Sequence, residues 1–257
     1  MAGEQGFADF ASVYVQTVNW SRRLSRELPF YSRLFDRSSV RHVSDVGCGP
    51  GRHAAAFAGW GLTVTAVDAD PGMLVLAREH AREKNVSIDF VHADFFTLGE
   101  KVHGPFDVVV CVGNSFPALE GSNQRLPVLK TFARLLRPDG LLVLHVLNYD
   151  RVHEDLDAGG PVQVITSPDG RFRFMKSFQR SGSHLDLCIE FKEIDGPGGR
   201  FIRRLYPVSE RQLRLEVESA GMSVADIYGD YAFAPFDLRS SRDLILVGHR
   251  RHGSANA

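Results

Sequence analysis

The chain has 257 residues, a net charge of −1 and 44% hydrophobic residues. That suits one α/β core of ordinary size and gives no global field to draw in nucleic acid or an anionic membrane. Three widely spaced cysteines, Cys48, Cys111 and Cys188, suggest neither a disulfide framework nor a metal site, and no apolar run reaches membrane-spanning length.

Residues 7–36 read as helical, with a break expected at Pro29. Residues 42–46 form a short apolar strand that runs into Gly47-Cys48-Gly49-Pro50-Gly51, and residues 52–59 read as an alanine-rich helix. A second strand at 62–67 ends in Asp68, seventeen residues past Gly51. Strand, glycine turn, helix and acid-ended strand make a mononucleotide-binding unit. The glycines let backbone approach a ligand, and the carboxylate suits two ribose hydroxyls. Asp70 can cap the next helix, Pro71 fits its first turn, and Met73, Leu76, Ala77 and Ala81 form one stripe. Strands follow at 86–91 and 106–112, the latter continuous enough to be buried on both faces. A helix over 124–136 stops at Pro138-Asp139-Gly140, and a fifth strand covers 141–147.

The rhythm changes after Asp150. Residues 171–180, 184–194 and 200–206 read as strands joined by short Gly/Ser/Pro turns, hence antiparallel. A helix over 209–220 closes at Gly221, and strands at 222–228 and 243–248 complete the core. The expectation is a doubly wound, mostly parallel, seven-stranded Rossmann-like sheet with an antiparallel β insert. Residues 1–40 would be a helical cap, 41–150 and 207–250 the cofactor-binding core, and 151–206 the insert over the acceptor site. A disordered tail is expected after Arg250.

The turn spells G-C-G-P-G rather than G-x-G-x-x-G, with Asp45 ahead of it. It resembles the turn of class I S-adenosylmethionine-dependent methyltransferases. Asp68, the His92-Ala93-Asp94-Phe95 stretch and Val112-Gly113-Asn114-Ser115-Phe116 fall where that resemblance requires. It implies cofactor contacts from Asp45, Gly47, Cys48, Gly49, Gly51, Asp68, Ala69, Asp94, Phe95 and Val112, with S-adenosylhomocysteine as product. Asp45 would approach the ammonium group, Asp68 the ribose and Asp94 the adenine amino group. A plain turn role is the rival reading of Asp94.

Gly113-Asn114-Ser115-Phe116 with Asn148-Tyr149-Asp150 resembles the glycine and sarcosine N-methyltransferases more narrowly. The resemblance makes Asn114 face the acceptor. It also exposes a departure: the arginine that clamps the acceptor carboxylate in that group is Leu147 here. A leucine cannot neutralise a carboxylate, which points to an acceptor more apolar than glycine unless Arg203 or Arg204 supplies a clamp from the insert. Phe191 falls where the group has a substrate-touching tyrosine.

An amine acceptor that arrives neutral needs no strong base, whereas an alcohol or phenol does. His145, on the same strand face as Leu147, is the candidate base, against an equal reading as a structural histidine. Tyr14 on the N-terminal helix is a candidate substrate contact, and Arg22 or Arg23 a candidate for the methionine carboxylate. Phe172, Phe174 and Phe178 make one strand face aromatic, which is either the insert's core or an oligomer contact, leaving a homodimer open. The leading reading is a cytoplasmic methyltransferase of a small-molecule acceptor, most readily an amine, with no metal, nucleic-acid or membrane partner. The alternatives are O-methylation of a hydroxylated metabolite and a non-catalytic S-adenosylmethionine-binding subunit. An NAD dehydrogenase is the remaining rival, and its glycine spacing is not met.

Overall fold

The computed structural model describes residues 7–36, 39–160 and 162–251. The expected tail after Arg250 lies, but for Arg251, outside the described residues.

The N-terminal segment forms α1 (Phe7–Tyr14), a single 3-10 turn and α2 (Trp20–Asp36). The break therefore falls before Asn19, not at Pro29. Asn19 Oδ1 accepts from Arg22 N at 3.0 Å and caps α2. Pro29 sits inside α2. A proline there costs about 3 kcal/mol. Burying Phe30, Tyr31, Leu34 and Phe35 next to it returns more, at about 1.5–3 kcal/mol for each large side chain.

The core alternates β1 (His42–Val46), α3 (Arg52–Gly59), β2 (Thr63–Asp68), α4 (Pro71–Glu83), β3 (Asp89–His92), α5 (Leu98–Lys101), β4 (Phe106–Cys111), α6 (Gly121–Leu135) and β5 (Leu136–Leu147). Asp70 caps α4 through Gly72 N and Met73 N, with Pro71 in the first turn. Pro138-Asp139-Gly140 is a bulge inside β5 rather than a turn before it: pairing with β4 jumps from Leu136 to Leu141, and Asp139 takes φ +60°.

The insert carries α7 (Tyr149–Asp157) and a four-stranded sheet of β6 (Gln163–Thr166), β7 (Phe172–Ser181), β8 (His184–Glu193) and β9 (Gly198–Leu205), all antiparallel. The chain then returns through α8 (Glu210–Ser219), β10 (Met222–Tyr228) and β11 (Asp243–Arg250). Both α7 and β6 escaped the sequence reading.

The seven-stranded sheet runs β10-β11-β5-β4-β1-β2-β3, antiparallel only where β11 meets β10 and β5. Alternate residues of the central strands face opposite layers, as a doubly wound sheet demands. Val108 and Val110 join Phe30, Tyr31, Phe57 and Leu74 from α2, α3 and α4. Val109 and Cys111 join Leu129, Phe132, Leu213 and Val217 from α6 and α8. On that second side a buried Arg125–Glu216 pair, 2.8 and 3.0 Å, ties α6 to α8.

Strand order reverses at β1, which pairs with β2 on one side and β4 on the other. The crevice at the carboxyl ends of these strands is where such folds bind ligands. No helix of the described residues is long and apolar enough to cross a membrane.

Candidate active site

The glycine turn lies in that crevice. Gly47, Gly49 and Gly51 all have φ between +55° and +74°. A Cβ on Gly47 would lie 2.9 Å from Ser115 Oγ, and one on Gly51 2.8 Å from Ala77 Cβ, so both positions require glycine for packing as well as for backbone shape. At Gly49 a Cβ would meet nothing within 4 Å. That space belongs to a cavity of about 800 Å³.

Asp68 ends β2 beside this turn. Its Oδ2 accepts from Gly49 N at 2.7 Å and its Oδ1 from Asp70 N at 2.9 Å. Burial pushes its pKa up, and these two N–H donors oppose that. The carboxylate is thus held rigidly, with one lone pair on each oxygen left over for a diol.

Asp45 is 1% exposed, and neither of its oxygens has a hydrogen-bond partner among the described residues. Ala54 N–H lies in its direction outside normal hydrogen-bond geometry. Burial, with the nearby charge of Asp68, raises its pKa to about 7. An unpaired buried carboxylate is costly and calls for a cation. The ammonium group of S-adenosylmethionine is such a cation, so the residues present fit that cofactor.

Asp94 serves its turn with one oxygen. Oδ1 accepts from Phe96 N, Thr97 N and Thr97 Oγ1, and these bonds, the Thr97 ones above all, hold its pKa below the usual range. Oδ2 takes no part in that turn, so the turn role and a ligand role coexist. Ala69, Asp94, Phe95 and Val112 line the cavity together with Asp45, Gly47, Cys48, Gly49 and Asp68. Gly51 does not; it packs against Ala77. Burial raises the Cys48 thiol far above its ordinary pKa, which makes it unreactive wall.

The N-terminal helix adds Tyr14, Trp20 and Arg23 to the wall. Arg22 is exposed, which separates the two arginines that the sequence left paired. The Arg23 guanidinium lies 5.3 Å from the Trp20 ring centre and close to Gly113. Its Nε donates to Glu27 Oε1 at 2.9 Å, while His53 Nε2 meets Glu27 Oε2 at 2.8 Å. Glu27 is 2% exposed. Burial alone would raise its pKa; the His53 bond and the Arg23 charge overcome this and bring it to about 2. Burial lowers the His53 pKa, so the ring is neutral and gives its Nε2 proton to the carboxylate. This Arg23–Glu27–His53 cluster was not found in the sequence, because Glu27 and His53 meet only once α2 packs on α3.

The acceptor end departs most from expectation. Asn114, at φ +66°, accepts at Oδ1 from both Leu147 N (3.0 Å) and Tyr149 Oη (3.1 Å). A backbone N–H can only donate, so the amide orientation is fixed and the carbonyl is already used. Oδ1 is thus engaged, and the cavity wall at this end is formed by the neighbours Gly113 and Ser115 rather than by Asn114 itself, which corrects the expectation that Asn114 faces the acceptor. His145 is also corrected: Nδ1 accepts from Gly113 N at 3.2 Å and Nε2 meets Asp243 Oδ1 at 2.9 Å. With both nitrogens committed, it holds the Gly113-Asn114 loop and has no lone pair free to take a proton.

Leu147 is partly buried against the core and does not line the cavity. Phe191 packs on Phe172 and Phe174 in the insert and likewise stands off the cavity. Phe201, Ile202, Arg203 and Arg204 from β9 reach it instead, so both arginines of the insert that the sequence offered stand at the wall.

A switch-point crevice with a left-handed glycine turn, a fixed ribose-type aspartate and a buried carboxylate awaiting a cation defines a class I S-adenosylmethionine-dependent methyltransferase. Comparison with known proteins agrees. Residues 43–140 match a family model described as a methyltransferase domain. A glycine/sarcosine N-methyltransferase of Aphanothece halophytica is 32% identical over 233 residues, covering 86% of this chain and 81% of the relative. One from Parasynechococcus marenigrum is 29% identical over 224 residues, covering 87% and 77%. A crystal structure of an S-adenosylmethionine-dependent methyltransferase from Clostridium acetobutylicum superposes with a TM-score of 0.80, covering 95% and 99% at 14% identity. The chain belongs to the methyltransferase family that includes the glycine/sarcosine N-methyltransferases. It is an S-adenosylmethionine-dependent methyltransferase of small molecules, and S-adenosylhomocysteine is its product.

Proposed function

We propose that this enzyme methylates an amine nitrogen of its small-molecule acceptor. The observation that carries the reading is the chemistry of Asn114, His145 and Tyr149. Tyr149 is a buried phenol giving its proton to Asn114, and both nitrogens of His145 are engaged. None is a base with an open lone pair. An amine that arrives neutral can do without one, whereas an alcohol or phenol cannot. The similarity to enzymes named as N-methyltransferases points the same way.

The cofactor brings a methyl group already activated on a sulfonium, so the protein's task is alignment. In this reading Asp45 and Arg23 hold the ammonium and carboxylate of the methionine portion. Asp68 holds the ribose, and Asp94, Ala69 and Phe95 border the adenine. Val112 and the Gly47–Gly49 turn form the floor. Asn114 fixes the Gly113 and Ser115 wall at the acceptor end, and Tyr14 and Arg203 close the cavity from the helical cap and the insert. Leu147 removes the strand-borne clamp on which a glycine-sized acceptor depends.

The test is transfer of labelled methyl groups from S-adenosylmethionine to matched sets of amines, alcohols and phenols. Transfer to amines supports the proposal. Transfer confined to hydroxyl compounds, or cofactor binding with no transfer to any class, overturns it.

A further inference from the structure

Strand β9 is an edge of the insert sheet, paired with β8 on one side only. Residues 201–204 of β9 all line the cavity. Successive side chains of a strand point to opposite faces, so no single face explains that run. Ile202 and Arg204 lie opposite Cys188 and Asp186, on the face away from Phe201 and Arg203. Both are exposed there, Ile202 at 49%. What they give the cavity wall is the strand's edge, its backbone.

Strand pairing fixes which backbone groups face that way. In an antiparallel pair, alternate residues exchange both hydrogen bonds with the partner strand, and those between turn theirs to the other side. The turn Gly182-Ser183 joins β7 to β8, so the closing pair Ser181–His184 is a bonded one. Every second residue of β8 from His184 onward therefore turns to β7, a register that Ile194 N keeps by donating to Arg171 O at 2.9 Å. Leu187 and Ile189 then bond Arg203 and Phe201, which leaves the N–H and C=O of Ile202 and Arg204 at the free edge. Tyr206 N, next in that series, donates outward to Pro117 O at 2.7 Å and closes the edge beside the loop after β4. Neither Ile202 nor Arg204 has a backbone hydrogen bond at this edge among the described residues.

An unpaired sheet edge binds an extended peptide by adding it as a further strand. We infer that the methyl acceptor is the terminal amine of a short peptide or aminoacyl amide, added antiparallel to β9 with its amine at the Arg204 end. The inference rests on the amine reading above. The direction follows from the wall. Beyond Arg204 the edge meets Pro117 and the loop of Gly113 and Ser115, beside the glycine turn, whereas its other end leads to Arg200, outside the cavity. The cofactor fills roughly 500 Å³ at protein packing density, which leaves roughly 300 Å³ of the cavity's volume of about 800 Å³, enough for about two residues. The acid–base chemistry fits as well. A peptide's α-amine titrates at about 7.7–8.0, against about 10.4 for an alkylamine like that of lysine, so much of it is neutral near pH 8 without a protein base. Its lone pair forms the new N–C bond, the electron pair of the broken C–S bond stays on sulfur, and the methylated ammonium releases its extra proton to solvent.

The probes are tripeptide amides of the form X-Ala-Ala, with X randomised, beside the free amino acid and the alkylamine that match each X. Each is assayed for methyl transfer and titrated onto the S-adenosylhomocysteine-saturated enzyme. For at least one X the tripeptide amide should exceed both partners by about tenfold or more in kcat/KM. N-methylating its internal amides one at a time should cost about tenfold at one and little at the next, because alternate amides face the edge. Ile202→Pro removes an edge N–H that the β8 ladder does not use, a change that edge strands tolerate. It should abolish the preference through KM and leave S-adenosylhomocysteine affinity within about threefold. Ile202→Ala, which keeps the N–H, should keep most of the preference. Transfer to amines with no preference for the tripeptide amides, or a preference unmoved by N-methylation or by a folded Ile202→Pro, overturns the inference and leaves the amine reading intact. Tripeptide binding that follows the N-methylation pattern, with no transfer to any amine, removes the amine reading and leaves the edge as a peptide site. Neither binding nor transfer of any tripeptide amide overturns the inference.

Discussion

Tyr149 Oη and Asn114 Oδ1 lie 3.1 Å apart, and the same oxygen receives Leu147 N–H at 3.0 Å. Two donors on one carbonyl lock the loop after β4 to the end of β5. Asn114→Ala leaves both donors without that acceptor and frees the wall formed by Gly113 and Ser115. It should cost about 1–3 kcal/mol of stability and lower transfer to the acceptor by about tenfold or more. Tyr149→Phe removes one donor and should cost about 1 kcal/mol of stability with a smaller loss of activity. Thermal unfolding and steady-state kinetics on both variants check this.

The neighbouring His145–Asp243 pair makes a different forecast for pH. Because both His145 nitrogens are committed, His145→Gln should lower kcat by displacing Gly113-Asn114 without removing any limb from the pH–rate profile. A limb that vanishes in this variant would restore His145 as a base. Asp243→Asn should reproduce only part of that loss, because it weakens the hold on Nε2 while the Gly113 N–H contact to Nδ1 remains.

Asp45 sets up opposite effects on stability and on binding. Its folded pKa is raised to about 7 from an ordinary 3.8. A raised carboxyl contributes stability that is complete below about pH 4 and is lost as pH climbs to about 7. Asp45→Asn should therefore make the cofactor-free enzyme more stable at pH 8, by a few kcal/mol at most, with no gain at pH 4. The same variant should bind S-adenosylhomocysteine at least about tenfold more weakly at pH 8. In the wild type, binding below pH 7 should release a proton, visible as a buffer-dependent heat.

The two arginines of α2 should separate cleanly. Arg23→Ala should weaken cofactor binding by about tenfold or more, whereas exposed Arg22→Ala should change it less than about twofold. Glu27→Ala strands the half-buried Arg23 and the buried His53 and should destabilise the fold by about 3 kcal/mol. Glu27 stays ionised down to about pH 2. Its share of stability is present above the unfolded carboxylate range near pH 4.5 and is lost as pH falls through it toward 2.

What the sequence disclosed follows from the range of each signal. The glycine turn, Asp68, the Asp70 cap and the continuous Val108–Val110 run are local patterns, and they located β1, β2, α4 and β4 to within a residue or two. Pro29 misled because its cost is local while the burial of Phe30 and Tyr31 that overrides it is not. β6 was missed because its four residues are too short for alternation to register, and α7 because Asn148-Tyr149-Asp150 drew attention as a motif rather than a helix start. The partners of His145 and Glu27 lie 98 and 26 residues away, and nothing local announces them. Phe191 failed as a substrate contact for a related reason. Its face of β8 was readable by alternation, but not which end of that face reaches the cavity.

The central claim is that the crevice at the ends of β1, β2 and β4 holds S-adenosylmethionine through Asp68. Calorimetric titration of S-adenosylhomocysteine into the wild type and Asp68→Ala tests it most directly. The account predicts one site per chain and an affinity at least about tenfold lower in the variant, with folding preserved. Equal affinity in a folded Asp68→Ala would contradict it.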